Sequence, residues 1–232
     1  MSEILILKPE IKVRQPDYLR LLGYPENHEL TGEPYNLAVW AEKWYRENCI
    51  PWFYIRRAEY FNTEKNIVNI EGHTFSSAYL RKKLIDNEAD EIYLAAVSAG
   101  AECDEMIKKL KLEGRDDRLF FLDAYVSAAA EYLLEAAALY IHELAENRKA
   151  VLPHYSPGYS GWKMEEQKIL WQLINKNHVL KDKLQLPDSG MLKPLKSMLA
   201  VFAVTGCTDK INNKLIVCAE CFFPGCRYRR KL

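Results

Sequence analysis

The sequence predicts an α+β fold, and three observations carry that expectation. Two apolar runs, "EIYLAAVSAG" from Glu91 and "SMLAVFAVTG" from Ser197, have the length of buried strands and fall well short of a membrane span. Between them, Asp116 to Arg148 contains no Gly or Pro and is dominated by Ala, Leu and Glu, which predicts one long helix. The first 90 residues alternate short helical and strand patterns, with no internal repeat and no low-complexity linker.

Taken in order, Pro16 to Leu22 reads as a short helix stopped by Gly23. Pro34 to Asn48 spaces Leu37, Trp40, Ala41 and Trp44 three and four apart, giving a helix with one apolar face. Trp52 to Tyr60 and Ile67 to Ile70 mix β-branched and aromatic residues and read as strands. Ser76 or Ser77 can cap a helix running to about Asp86, because a serine oxygen accepts from a free N–H of the first turn. After the Glu91 strand, "AECDEMIKKLKL" places its acids early and its lysines late, as the helix dipole favours, and Gly114 ends it. In the long helix, small residues at 128–130 and 136–138 permit close approach of another backbone. A further helix from about Lys163 to Asn175 precedes the last strand.

The chain has 232 residues, 49% hydrophobic and 28% charged, enough for a substantial core. Its 32 Lys and Arg balance 32 Asp and Glu, so no global field draws it to nucleic acid or to an anionic membrane. The apolar run in "MSEILILKPEIKV" is too short for a signal peptide, and the expected location is cytoplasmic. In a cytosolic chain of this size, six cysteines more often mean free thiols or a metal site than a disulfide framework. Cys49 and Cys103 sit among apolar neighbours and are assigned to packing. Cys207, Cys218, Cys221 and Cys226 form C-x10-C-x2-C-x4-C, a pattern able to hold zinc or an iron–sulfur cluster; spacing alone does not choose between them. Arg227, Arg229, Arg230 and Lys231 beside it could dock an acidic electron-donor protein or simply aid solubility.

The segment "LPHYSPGYSGW", Leu152 to Trp162, joins the long helix to the next one. Gly158 permits a left-handed backbone and Pro157 stiffens the approach, so the loop can hold a fixed shape with N–H groups aimed inward. Tyr155, Tyr159 and Trp162 could wall a flat or cationic ligand, or could merely plug the core between helices.

"SPGYSGW" followed by "EEQKILWQLI" resembles the S-adenosylmethionine-binding loop of the activation domain of vitamin B12-dependent methionine synthase, whose pattern is Arg-x-x-x-Gly-Tyr. "FSSAYLRKKL…EIYLAAVSAG", "LDAYVSAAAEYLLE" and "LKPLKSMLAVFAV" are similar to that family's serine-led helix, buried strand, long helix and late strand, in the same order over about residues 15 to 205. The resemblance implies a twisted, largely antiparallel sheet flanked by helices, with an activation-like domain over 1–205 and a cysteine-rich appendage over 206–232. It also implies a stand-alone subunit that reactivates a cobalamin-dependent methyltransferase such as methionine synthase. Such a subunit presents S-adenosylmethionine to cob(II)alamin while an electron is delivered. The chain carries no substrate barrel and no corrinoid-binding Asp-x-His-x-x-Gly motif, so the corrinoid protein is expected in trans.

Carried onto this sequence, the ligand residues are Glu131, His154, Ser156, Gly158 and Tyr159. A carboxylate such as Glu131 suits the sulfonium cation, and a cationic side chain suits the ligand's carboxylate. The family's Arg falls here on His154, which lacks the two-pronged guanidinium, so Arg148 or Lys149 would have to substitute, or the ligand has changed. Two alternatives follow: a non-catalytic module that binds a corrinoid protein without a methyl donor, and a metal-dependent electron-transfer adaptor that uses only the tail.

Overall fold

The structure is a computed structural model that describes residues 3–145 and 149–207. Its frame is a five-stranded antiparallel sheet in the order β1 (Glu3–Leu7), β2 (Trp52–Arg57), β6 (Glu91–Ser98), β8 (Ser197–Thr205), β7 (Ala150–Val151). Both faces of its central strands are covered, which is why β6 and β8 read as continuous apolar runs rather than as alternating ones. The pleat divides them: Phe53, Ile55, Tyr93, Ala95, Val97, Ala200, Phe202 and Val204 point to one core, and Trp52, Tyr54, Ile92, Leu94, Ala96, Leu199, Val201 and Ala203 to the other.

The first core lies under α1 (Gln15–Leu22), α2 (Gly32–Asn48), α4 (Glu102–Leu112) and α5 (Asp116–Leu144). The 29-residue α5 lies against the sheet through Ala129, Leu133, Ala137 and Ile141, all fully buried; these side chains recur every four residues, and the two alanines let the helix sit close. Gly23 takes a left-handed φ of 83° and its N–H closes α1 onto Arg20, as a C-terminal glycine should. On α2 the buried stripe is Leu37, Ala41 and Tyr45, with Trp40 and Trp44 only half-buried at its flank. Tyr45 reaches the centre of the layer and meets the Tyr125 ring at 5.4 Å.

The second core lies under a three-stranded meander, β3 (Phe61–Glu64), β4 (Ile67–Ile70) and β5 (His73–Phe75), together with α3 (Ala78–Asp86) and α6 (Gln167–Ile174). Arg56 is completely buried there. It forms a fork on Glu71 at 2.7 and 3.1 Å and donates to the Leu173 carbonyl at 2.6 Å, tying β2 to the meander and to α6. Lys176 and the Glu59 N–H complete the shell around Glu71 at 2.8 and 2.9 Å. Burial pushes the Glu71 carboxyl up, but the bonds from Arg56, Lys176 and the Glu59 N–H outweigh it and hold the group down at about 2. A depressed carboxyl stabilises the fold above its unfolded value and loses that contribution as pH falls through the folded one. Stability is therefore expected to drop between about pH 4.5 and 2, and to drop less in Glu71→Gln, as read by urea midpoints across that window.

The elements read from the two apolar runs and from α1 to α6 are present, and the α+β class holds. The long helix is described as far as Leu144, with Ala145 as its cap, against the expected end at Arg148, which lies outside the described residues. Strands β1, β3, β5 and β7 were not legible in the sequence. They are two to five residues long, and pairing to a neighbour rather than their own pattern makes them strands. Among the described residues no helix is long and apolar enough to cross a membrane.

Candidate functional site

The loop from Leu152 to Trp162 wraps the edge of β8 beyond the two-residue β7. Leu152 pairs with Ala203, its N–H donating at 2.8 Å, and Tyr155 pairs with Val201 through two 2.9 Å bonds. Pro153 and His154 therefore both lie opposite Phe202, an extra residue that bulges the edge and re-aims a side chain. Leu152 and Tyr155 both reach the second core, while the His154 ring meets the edge of Phe202, a residue of the first core, at 5.9 Å. Pro153 cannot donate to a ladder and suits this bulge.

Beyond the bulge the loop closes on itself. The Tyr159 N–H donates to Ser156, the Trp162 N–H to Tyr159 and the Gly158 N–H to Trp162, at 2.9 to 3.1 Å. Gly158 and Gly161 hold φ of +91° and +85°, where a side chain is strained. The N–H groups expected to aim inward include these three amides, which are consumed by bonds within the loop.

Tyr155 and Trp162 are buried and stacked at 5.5 Å, and Tyr79 lies over Tyr155 at 4.8 Å, so these rings plug the core. Tyr159 differs. It is half-buried, sits edge-on to Tyr155 at 5.8 Å, and its hydroxyl lies 3.0 Å from His154 Nε2. Ser156, on the same turn, is buried, and among the described residues its Oγ has no hydrogen-bond partner. The structure therefore brings four of the expected residues, His154, Ser156, Gly158 and Tyr159, onto one turn.

Glu131 faces elsewhere. Its carboxylate accepts from Arg20 at 2.8 Å and borders a shallow depression lined by Val13, Arg14, Asp17, Ala128, Tyr132 and Glu135, none of them from the loop. Of the two cations offered as substitutes for the family's Arg, Lys149 is engaged by Asp90 at 2.8 Å and Glu91 at 2.7 Å, and Arg148 lies outside the described residues. Cys207 is half-buried with its sulfur 3.0 Å from Glu88 Oε2; Cys218, Cys221 and Cys226 lie outside the described residues, as does the basic terminus.

Two anchors fix the loop to the domain. Ser77 caps α3 by accepting from Leu80 N–H at 3.1 Å and donates its own proton to the Gly161 carbonyl at 3.0 Å. Glu166, in the 3-10 turn Met164–Glu166, accepts from Trp162 Nε1 at 2.8 Å and from Ser76 N–H at 2.9 and 3.1 Å. Sequence reasoning offered Ser76 or Ser77 as the cap, and Ser77 fills it; it missed Glu166, whose only signal is its position four residues after Trp162. Ser77→Ala loses both bonds at a fully buried site and is expected to cost about 1–2 kcal/mol in urea denaturation.

No protein-family model matches this chain, and no curated protein sequence does. Among solved structures the fold is similar to the crystal structure of the MetH reactivation domain bound to AdoHcy. That similarity has a TM-score of 0.66 at 15% sequence identity, and covers 88% of this chain and 78% of that one. At that identity the likeness establishes the fold: a mixed α+β domain with a curled antiparallel sheet and helices.

Proposed function

We propose that this chain is a reactivation subunit that binds S-adenosylmethionine and serves, in trans, a corrinoid-dependent methyltransferase of the methionine synthase type. The observation that carries the reading is the half-buried His154–Tyr159 pair on the same turn as Ser156, whose hydroxyl has no partner among the described residues; the turn matches the Gly-Tyr pattern within a fold like that of a domain solved with AdoHcy. In this reading the Tyr159 ring face attracts the sulfonium, His154 and the Ser156 hydroxyl meet the polar groups of the amino-acid end, and Gly158 sets the turn. The bound methyl donor supplies the methyl group to cobalt on the partner, an electron donor supplies the electron, and this chain orients the donor.

The substitution of His for Arg at 154 favours one rival, a module that docks on a corrinoid protein without the methyl donor. Thermal-shift assays with S-adenosylmethionine and S-adenosylhomocysteine separate the two. The proposal expects both to raise the melting temperature, and His154→Arg to enlarge the shift by restoring a two-pronged contact to a carboxylate. No shift in either protein overturns it. Glu131→Ala decides the reach of the site: weaker binding places that carboxylate at the sulfonium, and unchanged binding confines the site to the loop.

A further inference from the structure

The two cysteines of the helical layer form a site that the methyl-donor reading does not use. Cys49 caps the C-terminus of α2, its N–H on the Tyr45 carbonyl at 2.9 Å, and Cys103 sits in the first turn of α4. They are 54 residues apart in sequence, yet their sulfurs lie 3.1 Å apart in the core, Cys103 fully buried and Cys49 6% exposed. Two further features hold the segments together. The Ile50 N–H donates to Glu102 Oε2 at 3.1 Å. Gly100, at φ +109°, lets the turn before α4 come so close that a Cβ there would lie 2.6 Å from Glu102 Oε2, 3.2 Å from Ile50 N and 3.5 Å from Cys49 Cβ.

We propose that Cys49 and Cys103 are a dithiol modification site that oxidises to a disulfide stapling α2 to α4. The sulfurs are already neighbours, so bond formation needs only about 1 Å of closure to the usual 2.05 Å. The oxidant is a disulfide of a small thiol such as glutathione. The Cys49 thiolate attacks one of its sulfurs and expels a thiolate; the Cys103 thiolate then attacks the Cys49 sulfur and expels the second. The protein loses two protons and two electrons, and one disulfide becomes two small thiols. The hydrogen bond with Cys49, together with burial, keeps the Cys103 thiol protonated in the folded state. Exchange is accordingly slow once the core is closed, and the link forms as the chain folds.

The test refolds the reduced full-length protein in a glutathione redox buffer, where access does not limit the reaction, then quenches in acid, alkylates under denaturing conditions and maps the peptides. The expected result is a linked peptide pair containing Cys49 and Cys103, lighter by two hydrogens than the reduced pair, and a melting temperature several degrees above that of the reduced protein. Cys103→Ala is expected to abolish that redox-dependent difference. Full alkylation of both cysteines, or a mixed disulfide on Cys49 as the end product, overturns the proposal. The peptide map of the wild-type chain decides the matter even if the variant does not fold, and no outcome depends on methyl-donor binding.

Discussion

Arg56→Ala is expected to destabilise the domain by about 3–5 kcal/mol, because it leaves the Glu71 carboxylate buried against the second core with its fork partner gone. The Leu173 carbonyl loses its donor as well, so the C-terminal end of α6 loosens at the same time. Lys176 and the Glu59 N–H still reach Glu71, which places the loss toward the lower end of that range. The double replacement Arg56→Met with Glu71→Leu discriminates between a strong pair and a costly one. Removing both charges removes the desolvation penalty too, so the double variant is expected to be more stable than Arg56→Ala alone. Urea denaturation read through the m-value and midpoint checks both; a loss below 1 kcal/mol in Arg56→Ala would mean that water enters and solvates Glu71.

Tyr159→Ala carries the largest functional effect. It removes the half-buried ring of the loop and the hydroxyl held by His154, and is expected to weaken S-adenosylmethionine binding by at least about tenfold, or ~1.4 kcal/mol. Tyr159→Phe keeps the ring and loses only the hydroxyl, so it separates the two contributions. Retention of most affinity in the phenylalanine variant assigns the interaction to the ring face; equal loss in both assigns it to the hydroxyl and its histidine. Because Tyr159 is only half-buried and the loop is anchored through Ser77 and Glu166, neither change is expected to unfold the domain.

The sequence disclosed the elements that carry their own pattern and hid those that borrow it from a neighbour. The strands at Glu91 and Ser197 were legible because burial on both faces makes them uniformly apolar, and α5 because nothing in it breaks a helix. The Phe61 and His73 strands were not, since pairing with Ile67–Ile70 sets their conformation. The Ile67 strand could be found because it supplies Val68 and Ile70 to the core.

The same contrast runs through the site. That Gly158 could take a left-handed backbone was legible from its residue type, and its φ is +91°. The bulge at Pro153 and His154 was not, because it depends on the register against Phe202, some 50 residues away in the chain. Nor could the sequence reveal that Glu131 is paired with Arg20. A helical acid looks the same whether it faces a ligand or an arginine on another helix.

The most direct test of the functional account is calorimetric titration of the full-length, anaerobically purified protein with S-adenosylmethionine, beside Tyr159→Ala. The account predicts one-site saturable binding by the wild type that falls at least about tenfold in the variant. Absence of binding by the wild type, or identical affinity in the two proteins, would contradict it and leave the His154–Tyr159 turn as an element of the fold alone.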